Sequence, residues 1–396
     1  MENVGKYDFV ITSLQGIDYA AGSNAVNLAY EFSRKHRVLY VNYPADRMTL
    51  LRRRKDPNVS KRINVLKGKD PSLVKIGDNL WTLYPKTVLE SISQISNNRI
   101  FDFLNKINNR RFANEISKAV HTLGFKDIIV FTDNDIFRSF YLKDFLKPAK
   151  FIYYSRDNMI AVDWWKKQGV RIEAALIKKA DLAVANSVYL ANYCKKFNPD
   201  SFYVGQGCDV SAFNSRLIND AKPTDINSLR KPIIGYIGVL YKLRLDIEAI
   251  SFIANHRPQW SIVLIGPEDE AFRNSDLHTL PNVHFLGSKP PASLPSYLNC
   301  FDVAINPQIL NDVTIGNYPR KIDEYLAMGK PAVATRTEAM SVFKDHVYLA
   351  ASREEYLNLI ERGLTENSLE KAAERERFAR GHTWEANANE IYKAMG

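Results

Sequence analysis

Cysteine is scarce: 396 residues hold three, Cys194, Cys208 and Cys300, widely spaced and without a CxxC pair. That pattern excludes a disulfide framework and a thiolate zinc site, and fits reduced thiols in a cytosolic compartment. The seven histidines form no HExxH motif. The one metal-like acidic string, Asp133-Asn134-Asp135, has no further ligand beside it in the sequence, so no metal is expected. Apolar runs fall short of the roughly 18–20 residues that a spanning helix needs. The opening residues MENVGKYDFVITS enter a strand pattern without the basic and apolar regions of a signal peptide. Low-complexity tracts and repeats of roughly 20–50 residues are missing as well, which excludes disordered and solenoid classes.

What is present is an ordinary globular composition, 45% hydrophobic and 25% charged, in a chain long enough for two domains. The net charge of +10 is unevenly placed. Residues 1–215 carry 33 Lys and Arg against 21 Asp and Glu, whereas the remainder carries 21 against 23. The densest basic stretch is LLRRRKDPNVSKRINVLKGK, Leu51 to Lys69. Such a cluster suits an anionic membrane surface or an acidic carbohydrate, and equally a solvated loop. A nucleic-acid partner is not expected, because no helix-turn-helix, zinc-finger or RNA-recognition signature accompanies the charge.

Buried-strand patterns alternate with amphipathic helices through the first half. YDFVITS is followed by a loop and by the helix NAVNLAYEFSRK, which Ser23 or Asn24 can cap; RVLYVN, DIIVFTD, KFIYYSRD and DLAVANS are further strands. After the polar, Pro-containing residues 213–230, the rhythm restarts with KPIIGYIG, WSIVLIGP, NVHFLGS, FDVAINP and PAVAT. The reading is α/β: two Rossmann-like, doubly wound parallel sheets facing a cleft, where ligands bind at the carboxyl ends of the strands. The expected division is 1–212, a linker over 213–230, a second domain over 231–375, and a C-terminal helix over 376–396 able to pack back on the first domain.

NYPRKIDEYLAMGKPAVAT, Asn317 to Thr335, is the most informative stretch. Pro319 suits a first helical turn and Gly329 a left-handed C-terminal cap, which predicts a helix of about ten residues. Its start, with Arg320 and Lys321, offers backbone N–H groups and positive charge to a phosphate. Glu324, over a turn deeper, can accept two hydrogen bonds from a vicinal diol such as a ribose. Diphosphate and ribose together describe a nucleotide sugar. An exposed helix with ordinary charge pairs would carry the same string.

PRKIDEYLAMGKPAVAT resembles the signature of group 1 glycosyltransferases of the GT-B superfamily, P-x-K-x-x-E-Y-L-A-x-G-x-P-V-V-A-T. LPSYLNCFDVAINP, WSIVLIGP and ADLAVANSVYLANYCKKF resemble further blocks of that family in order. Within the group, the chain is most like bacterial surface-polysaccharide transferases of the teichuronic-acid and xanthan types. The resemblance implies a ribose-binding role for Glu324, a phosphate role for Lys321 with Arg320 as helper, and diphosphate-binding candidates Gly238, Lys242 and Arg244 on the loop IGVLYKLRLD. Gly266, ending VLIGP, allows the close backbone approach of a nucleobase-pocket edge; Glu268 and Asp269 after it can instead cap the next segment. Many group members have a second glutamate eight residues before the first. Here that position is Gly316, leaving Thr314, Asn317 and backbone N–H groups to meet the donor sugar.

In the first half, Gly22 and Asn24 lie on the loop that the resemblance brings to the sugar and acceptor. IYYSRDNM ends a strand in a carboxylate, and Asp157 is the candidate general base of an inverting transfer. Asp133 and Asp135 come next. The resemblance implies no cofactor and no metal, with cationic groups neutralising the leaving diphosphate. It also implies a saccharide acceptor, lipid-linked in surface-polysaccharide synthesis, and a cytoplasmic enzyme. The basic Leu51–Lys69 stretch and FDFLNKINNRRFANEI, Phe101 to Ile116, suit peripheral association with the inner face of the membrane. A nucleotide-sugar 2-epimerase of the same fold and a non-catalytic binding relative are the alternatives.

Overall fold

The computed structural model describes residues 7–18, 23–52, 56–161, 163–218 and 223–396. They form two compact units, one of Met1–Gly205 with Asn387–Gly396 and one of Gln206–Ala386.

The first unit is built on strands β1 (Asp8–Ser13), β2 (Arg37–Val41), β3 (Ala45–Asp46), β4 (Leu73–Gly77), β5 (Leu80–Leu83), β6 (Val88–Leu89), β7 (Ile129–Asp133), β8 (Lys150–Ser155), β9 (Leu182–Ala185) and β10 (Ser201–Tyr203). Eight of them make one sheet in the order β10-β9-β8-β7-β1-β2-β5-β4, and β3 pairs separately with β6. Only β4 runs antiparallel within the large sheet, at its edge, where its residues are exposed or half-buried. Every residue of β1, β7 and β9 is buried. Strands apolar on both sides are stable only when helices cover both faces, as the uninterrupted runs FVI and IVF predict. Helix Asn24–Ser33 is capped by Ser23, whose Oγ accepts the Val26 N–H, and it buries Val26, Leu28, Ala29 and Phe32. The end of the last helix, Trp384–Met395, belongs to this unit from Asn387 onward. Asn387 donates to the Val204 and Gly205 carbonyls, and the Tyr392 ring packs against Phe32 and His36.

The second unit has β11 (Ile233–Ile237), β12 (Ser261–Ile265), β13 (Val283–Gly287), β14 (Val303–Asn306), β15 (Ala332–Thr335) and β16 (Tyr348–Ala350). They pair in parallel in the order β13-β12-β11-β14-β15-β16. The described parts of the stretch read from sequence as a linker, residues 213–218 and 223–230, lie inside this unit. Ile226 is buried, and Phe213, Ile218 and Leu229 pack on its core, because the polar stretch carries an apolar residue at each turn.

Both sheets have a topological switch point. β1 sits between β2 and β7, and β11 between β12 and β14, so the chain grows the sheet in opposite directions from these strands. Loops leave a crevice at the carboxyl ends there.

Candidate functional site

In the second unit the residues singled out from sequence converge on the carboxyl end of β11. Gly238 follows β11 with φ +147°, and Gly266 follows β12 with φ +147°. Their N–H groups continue the ladder, Gly238 to the Ile265 carbonyl at 2.8 Å and Gly266 to the Gly287 carbonyl at 3.0 Å. A Cβ on Gly266 would stand 1.9 Å from the Gly238 carbonyl oxygen, and one on Gly238 would stand 2.4 Å from Lys321 Nζ. Glycine is therefore required twice, by backbone conformation and by the groups that occupy the space. Lys321 Nζ donates to Tyr236 Oη at 2.5 Å and sits 4.0 Å from the ring centroid. Tyr236 Oη donates onward to the Val239 carbonyl at 3.2 Å. The ammonium is thus held at the strand end by a hydroxyl and a π face.

The helix that carries Lys321 spans Lys321–Ala327, seven residues rather than about ten. The Ile322 N–H reaches the Pro319 carbonyl at 2.9 Å, so the Pro319–Arg320 turn is 3₁₀-like and precedes the α-helix. At the other end Gly329, with φ +68°, closes a Schellman motif. Its N–H bonds the Leu326 carbonyl at 2.8 Å, and the Lys330 N–H bonds the Tyr325 carbonyl at 3.1 Å. Tyr325 Oη accepts the Ile237 N–H at 3.1 Å, fastening the helix to β11.

Glu324 is half-buried and its carboxylate accepts no hydrogen bond from any described residue. Burial raises its pKa, while the charges of Arg320 and Lys321 pull it back. A desolvated acceptor without a partner is suited to a ligand's hydroxyl groups. Arg320 is exposed. Asn317 is half-buried, with its N–H on the Thr314 carbonyl at 3.0 Å. Thr314 is a correction: it is fully buried and its hydroxyl donates to the Ile309 carbonyl, so it is spent inside the fold. Lys242 and Arg244 are both exposed. Lys242 donates its N–H to Asp269 at 2.9 Å and lines an open cavity of about 730 Å³ with Leu243, Asn274 and Asn311. Asp269 also caps helix Glu270–Arg273, accepting the Phe272 N–H at 2.9 Å, and Glu268 pairs with His278 at 2.8 Å.

Sequence reasoning missed Tyr236, which reads only as a strand residue, and Asp323. The Asp323 carboxylate is fully buried beside Glu324 on the chain. Its Oδ1 lies 2.6 Å from His382 Nδ1, and Tyr318 Oη lies 3.2 Å from the same nitrogen. Burial raises the Asp323 pKa against the pull of His382. No local signal links residues 59 apart in sequence.

In the first unit, Ser13 ends β1 and Asp133 ends β7, astride the switch point, and Ser13 Oγ donates to Asp133 Oδ2 at 2.9 Å. Arg156 bridges two carboxylates: its Nε reaches Asp133 Oδ1 at 2.7 Å and its Nη1 reaches Asp157 Oδ2 at 2.6 Å. Gln15 Oε1 accepts from the same guanidinium at 3.2 Å. Asp133 has no exposure, and burial raises its pKa against Arg156. The Asp157 side chain is 36% exposed. Asn134 fixes the loop between them, accepting the Arg156 N–H at 2.7 Å and donating to the Asp157 carbonyl at 2.9 Å. Asp135 is buried against Arg138 at 3.0 Å. The accessible member of the three is therefore Asp157. Asn24 is also buried, donating to Tyr154 Oη at 3.0 Å, so its side chain is engaged within the unit. Gly22 lies outside the described residues.

The basic Leu51–Lys69 stretch is partly consumed by the fold. Lys61 pairs with Asp18 at 3.1 Å and lies over the Tyr84 ring. Arg62 is buried, donating to the Tyr43 carbonyl at 3.1 Å. Arg53, Arg54 and Lys55 lie outside the described residues. Among the described residues no helix is long and apolar enough to cross a membrane.

Residues 231–365 match the family of group 1 glycosyl transferases. A protein of Bacillus subtilis (strain 168) with the provisional name teichuronic acid biosynthesis glycosyltransferase TuaH is 28% identical over 255 residues, 61% of this chain. The match spans 63% of that relative's length. Among solved structures, the sucrose-phosphate synthase of Thermosynechococcus elongatus superposes with a TM-score of 0.64 at 15% identity, covering 98% of each chain. Anabaena Alr3699/HepE in complex with UDP and glucose gives 0.62 at 16% identity, over 98% of this chain and 99% of the other. A UDP-forming trehalose-phosphate synthase of Burkholderia xenovorans gives 0.68 at 9% identity, over 99% of each. At such identities the likeness is one of fold.

Proposed function

We propose that this chain, whose residues 231–365 match the group 1 glycosyl transferases and whose fold is that of GT-B enzymes, is an enzyme that moves a sugar from a nucleotide-diphospho-sugar to a saccharide acceptor. One observation carries this reading: the half-buried Glu324, whose carboxylate accepts no hydrogen bond from described residues, stands one turn from a lysine already held at the switch point by Tyr236 in the space that Gly238 leaves open. A carboxylate that accepts no hydrogen bond from the described residues is assigned the ribose diol. Lys321, with Arg320 as helper, is assigned the diphosphate. Gly266 keeps the backbone beside the nucleobase free of side chain. UDP is the first nucleotide to test, because the fold relative HepE holds it.

In the proposed transfer, the acceptor oxygen forms a bond to the anomeric carbon as the bond from that carbon to the diphosphate oxygen breaks. The electron pair leaves with the nucleoside diphosphate, and the cations stabilise the growing charge. The hydroxyl proton passes to Asp157, which must exchange its contact with Arg156 for the acceptor. Neutralisation by Arg320 and Lys321 makes metal unnecessary in this scheme, so turnover should survive EDTA. Loss in EDTA with recovery in magnesium would overturn that part. The kinship with a teichuronic-acid protein and the basic first half favour a lipid-linked acceptor in surface-polysaccharide synthesis, met at the cytoplasmic leaflet. The decisive experiment is titration of the purified chain with UDP, GDP and TDP, followed by sugar transfer from the matching donors to polyprenyl-diphosphate saccharides. Absence of binding to every nucleoside diphosphate would refute the proposal.

A further inference from the structure

Helix Asn98–Thr122 of the first unit buries Phe101, Asn105, Phe112 and Ile116. Its opposite side does not follow the usual rule of a polar outer face. Phe103 is 66% exposed and Ile100 52%. At 3.6 residues per turn, Ile107 and Ile100 fall within about 60° of Phe103 on one flank, and Arg99, Lys106 and Arg110 within about 60° on the other. None of the three cations has an ion-pair partner among the described residues, although the Arg110 guanidinium lies 5.4 Å from the Phe145 ring centroid. The carboxylates nearby are neutralised, Asp102 by Arg171 at 2.8 Å and Glu115 by Lys118 at 2.8 Å. Glu90 takes Arg111 at 2.9 Å and Arg47 at 2.7 Å, which ties the helix to Arg47–Arg52. That short helix buries none of its residues, and its Leu51 is 65% exposed.

We propose that this apolar strip with its cationic flank seats the protein on an anionic lipid bilayer, with Phe103 and Ile100 entering the headgroup boundary and Arg99, Lys106 and Arg110 meeting lipid phosphates. Charge complementarity selects this occupant: an apolar protein groove would desolvate Arg99, Lys106 and Arg110 with no counter-ion, whereas anionic headgroups supply one to each. The location differs from the Leu51–Lys69 stretch, whose Lys61 and Arg62 are bound internally. The surface deepens the lipid-linked acceptor reading above and would place the enzyme beside that substrate.

The test is co-sedimentation of the full chain with vesicles of phosphatidylcholine alone and of phosphatidylcholine mixed with phosphatidylglycerol, with UDP affinity measured on the same samples. Wild type should partition to the anionic vesicles and be released by salt. Ile100→Glu with Phe103→Glu should cut partitioning at least about tenfold, and Arg99→Gln with Lys106→Gln about fivefold per charge. Melting temperatures should stay within a few degrees of wild type, since all four side chains are exposed. Equal sedimentation of both double variants and wild type overturns the proposal. So does a wild type that ignores vesicles but self-associates through Phe103. Lost UDP binding in wild type would sink the nucleotide-sugar reading and leave the vesicle result to stand or fall alone.

Discussion

Replacing Glu324 separates ligand binding from stability, because the two effects have opposite signs. Without ligand the carboxylate is half-buried and accepts no hydrogen bond from described residues, and the charges of Arg320 and Lys321 offset its desolvation only in part. Glu324→Gln should therefore be neutral or stabilising, by up to about 1 kcal/mol at neutral pH, or roughly 2–4 °C in Tm for a unit of this size. The sign with pH follows from burial, which raises the folded-state pKa above its ordinary 4.5. A raised carboxyl contributes to folding while protonated, and that contribution is lost as pH rises through the raised value. The advantage of the variant should hence vanish in acid and grow as the solution is brought to neutrality. Binding runs the other way. Two charged hydrogen bonds to a ribose diol are worth about 2–3 kcal/mol net once solvent competition is counted, so Glu324→Ala should weaken UDP binding roughly 30- to 150-fold. Calorimetric titration with UDP and melting curves between acid and neutral pH read both effects on one protein. An alanine variant that binds UDP as wild type does, or a glutamine variant that unfolds more readily at neutral pH, would refute the reasoning.

Gly266→Ala puts a Cβ 1.9 Å from the Gly238 carbonyl oxygen at a φ of +147°. It should cost about 3 kcal/mol or more as a lower urea midpoint, and an unchanged midpoint would show the strand ends to be looser than described. Arg156→Met strands the fully buried Asp133 and should cost about 3–5 kcal/mol, most of it regained when Asp133→Asn is added. A double variant no better than the single would remove the ion pair from the account. Asp157→Asn should lower kcat by about 10²–10⁴-fold with UDP affinity unaltered, and full turnover would exclude Asp157 as the base.

The elements were legible because their causes are local. Apolar runs bounded by polar ends gave the strands, Ser23 is the cap that starts the helix Asn24–Ser33, and Gly329 closes its helix by bonding Leu326 while the following Lys330 bonds Tyr325. The motif around Glu324 was legible for the same reason, since Lys321 and Glu324 are one turn apart on a single helix. Errors arose where the partner of a side chain is distant in sequence. Asn24 meets Tyr154, and Lys61 meets Asp18. A side chain's availability depends on what the fold has already bonded to it, which no spacing reveals. The pairing of Arg156 with Asp157 was open to the eye in adjacent letters, whereas its hold on Asp133 required β7 and β8 to lie side by side.

Sequence alone determined the α/β rhythm, the glycine-ended strands and a helix opening on two cations with Glu324 a turn further on, because backbone preference and side-chain period act within a few residues. Tertiary structure alone decided that Lys321 rests on Tyr236 beside Gly238, that Gly266 abuts the Gly238 carbonyl, and that the Glu324 carboxylate accepts no hydrogen bond from any described residue. Those facts depend on which strands neighbour β11, and strand order is set by packing the whole sheet rather than by any stretch of it.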